Sequence, residues 1–338
     1  MMRLIISIML WALSLPAWCY SVGSQQEAIV DSQSARTLNV RIFYPSHSDQ
    51  TPQMQAASGV FSGFSAIASA PLAPGRFPLI VLSHGSGGNN ASLAWLAVPL
   101  AARGAIVIAA NHPGSTTGNS SPKTDLTLQI TDLSFMLTHY LQAPRWQRAI
   151  DAEKIGAIGH SKGGYSVLAL AGARTNRQQM NHYCQTMPQM PDCQFYYRDG
   201  VRLENTNDQR LAASYRDVRV KWVIAIDPGM SYVLTRSSLD NIHIPLLTIA
   251  ADYFIRATGK MTLGVDRLKL PLITLPDAGH FDFLPLCQPK AAAILAEEGE
   301  AFICETPKAQ REAIHQQTLA AVSQFMQNHG FLAPRNAE

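Results

Sequence analysis

The chain has 338 residues, with 27 basic and 24 acidic side chains and a net charge of +3. That length allows one large domain or two smaller ones. The charges are scattered, so nothing points to nucleic acid, and no second apolar span follows the N-terminal one, so the mature protein is expected to be soluble.

The chain opens Met1-Met2-Arg3 and runs apolar from Leu4 to Trp18, with Pro16 and small residues around Ala17, Cys19 and Ser21. One positive charge, a short apolar core and a small-residue exit predict a secretory signal peptide over residues 1–21. Cys19 as an acylated lipoprotein residue fits less well, because Trp18 stands where a small residue is wanted. The rest, 22–338, is expected to be an exported domain, periplasmic or secreted.

Thr37 to Tyr44 alternates with period two and predicts an outer strand ended by Pro45. Residues 46–76, rich in Ser, Ala, Gly and Pro, predict a long irregular connection or flap. Phe77 to Leu82 is a continuous apolar run, hence a strand buried on both faces, and it ends in Ser83-His84-Gly85-Ser86-Gly87-Gly88. Ala91 to Arg103 has a helical pattern that Pro99 must bend or shorten. A buried strand follows over Ala105 to Ala110, then a helical face over Asp125 to Leu141. Ile155 to Ile158 is another buried strand, and Ser161 to Ala173 reads as a helix.

Residues 174–220 break this rhythm with a polar stretch dotted with Met180, Met187, Met190, Tyr183, Phe195, Tyr196 and Tyr197, and they predict a cap over the site. Lys221 to Ile226, Pro245 to Ala250 and Leu270 to Leu275 are further buried strands. Residues 285–307 predict a loop with a short helix, and Lys308 to Asn328 a closing amphipathic helix. Strands alternating with helices specify an α/β protein with a mostly parallel sheet covered on both faces. Ligands of such sheets bind at the carboxyl ends of the strands.

At the junction of the Ile155 strand and its helix stands Gly159-His160-Ser161-Lys162-Gly163. In a strand–turn–helix setting, G-x-S-x-G is a nucleophile elbow: the turn is too tight for side chains at the two glycines, and the serine is held strained with its hydroxyl exposed. The helix N-terminus aimed at the same spot favours developing negative charge. A serine needs a base, and the base a carboxylate to hold its tautomer. His280, behind Ala278-Gly279 after the last strand, is the base candidate. Asp227 and Asp252 each follow a strand; Asp227, before Pro228-Gly229, is preferred and Asp252 is the alternative. His112 comes too early in chain order, and His139, His182, His243, His315 and His329 fall on helices or surface loops. The backbone N–H groups of Ser86 and Lys162 are expected to hold an oxyanion. The Lys162 cation is expected to be solvated, or else to attract an anionic substrate.

Without the leader four cysteines remain, Cys184, Cys193, Cys287 and Cys304. An even count in an exported chain predicts disulfides. Three pairings are open. The local one, Cys184–Cys193 with Cys287–Cys304, closes the shortest loops, each removing roughly 3 kcal/mol of unfolded-chain entropy. No metal site and no cofactor are expected, since no Cys or His cluster accompanies them.

Ser83-His84-Gly85-Ser86-Gly87-Gly88, Gly159-His160-Ser161-Lys162-Gly163-Gly164 and Ala278-Gly279-His280-Phe281-Asp282-Phe283, in this order, resemble the α/β-hydrolase superfamily over about residues 36–330. Within it the chain is most similar to bacterial predicted dienelactone hydrolases and to plasma-type platelet-activating-factor acetylhydrolases. The resemblance implies an α/β-hydrolase fold with a cap insertion after the nucleophile helix. In the acetylhydrolase group the acid follows the strand after the elbow helix, which maps onto Asp227. Lys162 and the cysteine-bearing cap depart from the pattern, and the cysteine nucleophile of the best-known dienelactone hydrolases is absent. The expected activity is a serine hydrolase cleaving small or short-acyl carboxylic esters, without a cofactor. The alternatives are a deacylase of phospholipids or oxidised lipids, or a non-catalytic binding protein on the same fold. The expected partner is a small ester or lipid, not nucleic acid; membrane contact is allowed but not implied, and no oligomeric state follows.

Overall fold

A computed structural model describes residues 20–119, 125–198 and 207–333. Apart from Tyr20 and Ser21, the expected leader lies outside these residues. The strands are β1 (Ser21–Asp31), β2 (Arg36–Ser46), β3 (Gln53–Gln55), β4 (Phe64–Ala68), β5 (Phe77–Ser83), β6 (Ile106–Ala110), β7 (Ile150–His160), β8 (Trp222–Ile226), β9 (Leu246–Tyr253) and β10 (Leu272–Gly279). The helices are α1 (Ala94–Ala102), α2 (Leu128–Gln142), α3 (Pro144–Ala149), α4 (Lys162–Ala171), α5 (Arg177–Thr186), α6 (Pro191–Arg198), α7 (Asp208–Ala212), α8 (Arg236–Asp240), α9 (Ala291–Ala296) and α10 (Lys308–Asn328).

The sheet runs β10-β9-β8-β7-β5-β6-β2-β1-β4-β3. From β6 through β5, β7, β8 and β9 to β10 every neighbouring pair is parallel. The chain steps from β5 to β6 in one direction and then crosses back to lay β7 on the other side of β5. This reversal opens a crevice at the carboxyl ends of β5 and β7. One apolar layer packs α2 and α4 against Leu79, Val81, Ile106, Ile108 and Ala157, and the other packs α1 and α10 against Ile80, Leu82, Val107, Ile158 and Ile224. Strands buried on both faces need no polar alternation, which is why β5 to β9 read as apolar runs.

The N-terminal part differs from the sequence reading. Thr37 to Tyr44 is not an outer strand: β1 pairs along all of β2, antiparallel from Ser21↔Ser46 to Asp31↔Arg36. Both edges of β2 are therefore paired, one to β1 and the other to β6, and Arg41, only 5% exposed, lies over the Phe64 ring. Residues 46–76 are not wholly irregular, since β4 adds to β1 and β3 to β4. Their short strands carry too few apolar residues to show a period. Pro99 is accommodated inside α1, which begins at Ala94 rather than Ala91.

Candidate active site

The last residue of β7 is His160, and α4 begins at Lys162, so Ser161 is the whole turn. Its backbone sits at φ 56°, ψ −121°, a conformation that costs an ordinary residue on the order of 1–3 kcal/mol. The surroundings enforce it. The Ser161 N–H donates to the Ile226 carbonyl at 3.0 Å, and the Ser161 carbonyl accepts from Gly229 N–H and Tyr165 N–H, both at 3.0 Å. A Cβ at Gly159 would stand 2.1 Å from the Gly163 oxygen, and one at Gly163 would stand 2.2 Å from the Ser83 oxygen. The two glycines are thus demanded by backbone crossing backbone.

Ser161 Oγ lies 3.1 Å from His280 Nε2, and His280 Nδ1 lies 2.6 Å from Asp227 Oδ2. The other Asp227 oxygen accepts the Ala251 N–H at 3.0 Å. His280 and Asp227 are 4% and 1% exposed, so the contact is shielded from water. Asp252, the alternative acid, points elsewhere and pairs with Lys260 on the surface. Phe254 occupies the neighbourhood a later-loop acid would need. Its ring stacks on His280 with centroids 4.9 Å apart, and its carbonyl accepts the His280 N–H at 3.1 Å. The turn after His280 is tied down by Asp282, which accepts Gly279 N–H at 2.8 Å and pairs with buried Arg311.

His160 stands immediately before Ser161. Its Nε2 meets the His280 carbonyl at 3.0 Å, and burial, with His280 alongside, lowers it well below the ordinary imidazole range. The imidazole is therefore neutral, and Nε2–H is the donor.

Of the expected oxyanion residues, Lys162 opens α4, so its N–H faces the helix N-terminus by helix geometry. Ser86 follows Gly85, and Gly85 is pressed against Ser161: a Cβ there would stand 2.9 Å from Ser161 Cβ. The Lys162 side chain is not solvated. It is 6% exposed, with Nζ 3.4 Å from Ser115 Oγ, because α4 begins beneath the loop that follows β6.

Residues 177–198 of the expected cap carry α5 and α6, and Cys184–Cys193 joins the two helices, with the Cα atoms 5.6 Å apart. A second disulfide, Cys287–Cys304, ties the loop before α10. Met180, Met190 and Tyr183 are buried inward rather than turned to solvent. The side chains of Phe195, Tyr196 and Tyr197 lie outside the described residues. Beside the disulfide, Asp192 Oδ2 accepts Met230 N–H at 2.9 Å and the Tyr183 hydroxyl at 3.2 Å. Its Oδ1 comes within 3.3 Å of where a Gly229 Cβ would be. Burial raises this carboxyl to about 6 against those two hydrogen bonds and the pull of His280, with the Asp227 charge adding to the rise.

Sequence reasoning did not find Asp192, His160, Phe254, or the buried polar group behind the oxyanion loop that includes Gln129, His112 and Asp132. The histidine adjoining the serine and the Asn111-His112-Pro113-Gly114 turn after a strand were the available signals.

A ferulic acid esterase from Streptomyces cinnamoneus superposes with a TM-score of 0.59 over 93% of this chain and 92% of its own, at 21% identity. The chain has the α/β-hydrolase fold. A thermophilic esterase from the planctomycete Thermogutta terrifontis gives a TM-score of 0.48 at 13% identity, covering 92% of this chain and 96% of that chain. A family model described as Chlorophyllase matches residues 50–184, which end inside α5. Among curated protein sequences, none matches this chain. Among the described residues, no helix is long and apolar enough to cross a membrane.

Proposed function

We propose that this α/β-hydrolase is an exported serine esterase acting on small or short-acyl carboxylic esters through an acyl-enzyme. The reading rests on one observation, the continuous contact from Ser161 Oγ through the His280 ring to Asp227 at 3.1 and 2.6 Å. Ser161 Oγ attacks the ester carbonyl as its proton passes to His280 Nε2. Asp227 holds the ring and stabilises the imidazolium that forms. The tetrahedral oxyanion is held by the N–H groups of Ser86 and Lys162, aided by the α4 N-terminus. Collapse expels the alcohol, which takes the proton from Nε2, and leaves an ester on Ser161. A water deprotonated by His280 then releases the acid and restores the serine. The chlorophyllase-family match and the ferulic acid esterase neighbour are consistent with ester substrates.

Export follows from the Met1–Ser21 leader pattern together with two cysteine pairs at bonding distance. Met180 and Met190 are buried and offer no surface to a lipid, which favours a small ester over a phospholipid.

The test is a panel of p-nitrophenyl esters of increasing acyl length, run with wild type and Ser161→Ala, beside labelling by a fluorophosphonate probe. Short esters should turn over, and the variant should fold yet lose both turnover and labelling. Turnover that survives in Ser161→Ala, or a wild type inert to the probe, overturns the assignment, the latter in favour of a binding protein.

A further inference from the structure

Behind the oxyanion loop lies a chain of buried polar groups that the acyl transfer itself does not use. Arg36 grips Asp132 with two hydrogen bonds of 2.7 Å. Asp132 Oδ2, one of the two oxygens Arg36 holds, also meets His112 Nδ1 at 2.9 Å, and His112 Nε2 lies 3.4 Å from Ser83 Oγ. This repeats the residue types of a catalytic triad, yet Ser83 and His112 are completely buried and no substrate can reach them. Burial pushes the Asp132 carboxyl up, but the hydrogen bonds and charge of Arg36 and His112 hold it below its ordinary value.

The chain ends on Gln129, itself 1% exposed, in α2. Its amide donates to Ser83 Oγ at 2.8 Å and to the His84 carbonyl at 2.6 Å. Its oxygen accepts from Ser115 at 3.4 Å, and Ser115 Oγ accepts from Lys162 Nζ. One amide therefore links the loop carrying Ser86 to the side chain of Lys162, the two residues whose N–H groups face a developing oxyanion.

The carbonyls show what this linkage does. In a trans peptide the C=O and the next N–H point to opposite sides. Gln129 holds the His84 oxygen in the interior, so the Gly85 N–H points the other way. The Gly85 oxygen is held in turn by Gly88 N–H at 3.1 Å and by His84 Nδ1 at 2.6 Å, so the Ser86 N–H also points away from its anchors. His84 Nε2 accepts the His112 N–H, which leaves Nδ1 as the donor. Burial, with His112 beside it, lowers His84 to about 3, so this neutral tautomer persists over any working pH. Without these anchors either peptide is free to turn and present a carbonyl oxygen where donors are needed.

We propose that Gln129 is a positioning residue for the oxyanion hole: it fixes the His84–Gly85 peptide, and through it the Gly85–Ser86 peptide, in the donor-out orientation. This inference rests on the esterase reading of the same site. It assigns Gln129 no contact with substrate.

Gln129→Met removes both donors at nearly constant volume, and Gln129→Glu keeps the shape while leaving at most one donor, the O–H of its protonated form. After normalisation by active-site titration, each should lower kcat by about 10²-fold, the lower end of the range for one lost oxyanion donor. KM should move less than about threefold, because the ester carbonyl is not yet an oxyanion in the ground state. Affinity for a trifluoromethyl ketone, whose adduct carries the oxyanion, should fall by the same factor as kcat. A merely structural role would reduce the titratable fraction and leave kcat per site intact, which would overturn the proposal. If the Met variant fails to fold, the Glu variant carries the test. A crystal structure of either variant should show the His84–Gly85 peptide turned; an unchanged peptide also overturns the proposal. Should wild type prove inert to esters and probe, the esterase reading falls by itself, and the peptide orientation still decides the role of Gln129.

Discussion

Asp192 offers a sharp energetic test, because its carboxyl is held in the cap for contacts that a neutral group can also make. Moving a carboxyl from an ordinary 3.8 to about 6 means that folding binds its proton more tightly by roughly 3 kcal/mol. The sign follows from that direction. The stabilisation is complete below the unfolded value, is lost as pH rises from about 4 to about 6, and is absent above. At neutral and alkaline pH the native state therefore carries a charge it would rather release. Asn at this position keeps an oxygen for the Met230 N–H and the Tyr183 hydroxyl and removes the charge. The titratable groups facing the carboxyl, among the described residues, are His280, Asp227, Tyr183 and its stacking partner Tyr232. Asp192→Asn should be more stable than wild type at about pH 8 by up to roughly 3 kcal/mol, a rise in Tm of up to about 6 °C for a domain of this size. The value is a ceiling, since the cap can open locally. Near pH 4 the two proteins should coincide. Denaturant unfolding with the disulfides intact, followed across this range, reads it. An Asn variant no more stable than wild type at alkaline pH, or equally stabilised at both ends, refutes the reasoning.

Asp227→Asn should lower kcat by about 10⁴, as loss of the ring-orienting carboxylate does elsewhere, whereas Asp252→Asn should stay within about twofold of wild type; p-nitrophenyl acetate kinetics separate them. His315, lowered to about 4 by burial while its Nε2–H serves the Asp282 and Leu284 carbonyls, should destabilise the fold by roughly 3 kcal/mol as pH falls from 6.5 to about 4. Acid unfolding of His315→Gln should therefore be flatter over that window. Gly159→Ala, which puts a methyl 2.1 Å from the Gly163 oxygen, should lower Tm by several degrees or prevent folding, read by calorimetry on the soluble fraction.

Features whose cause is local were legible in the sequence. The elbow is one, since G-x-S-x-G between an apolar strand and a helix leaves the chain a single tight path. The parallel strands are another, because burial on both faces writes itself as unbroken runs such as Phe77 to Leu82. The helix Lys308–Asn328 was readable to its ends. Tyr20 to Asp31 was not: next to a leader-like stretch, its Gln25-Gln26-Glu27 reads as polar chain, and only its pairing with β2 makes it a strand.

The site divides the same way. A serine and a histidine near strand ends could be named from spacing, but Asp227 and Asp252 both follow strands and both suit an acid. Which one meets His280 depends on Asp227 at φ 37°, its oxygen on the Ala251 N–H, and Phe254 across the imidazole face. Gln129 is one polar residue on an otherwise amphipathic helix, and Asp132 and His112 look like surface groups until the fold buries them. The sequence by itself determined the alternation of the buried parallel strands with their helices and the strained turn at Ser161, because those follow from contacts between near neighbours. The partner of His280, the buried Lys162 and the amide behind the oxyanion loop were decided by tertiary structure alone, because each depends on segments tens of residues apart meeting where water is excluded.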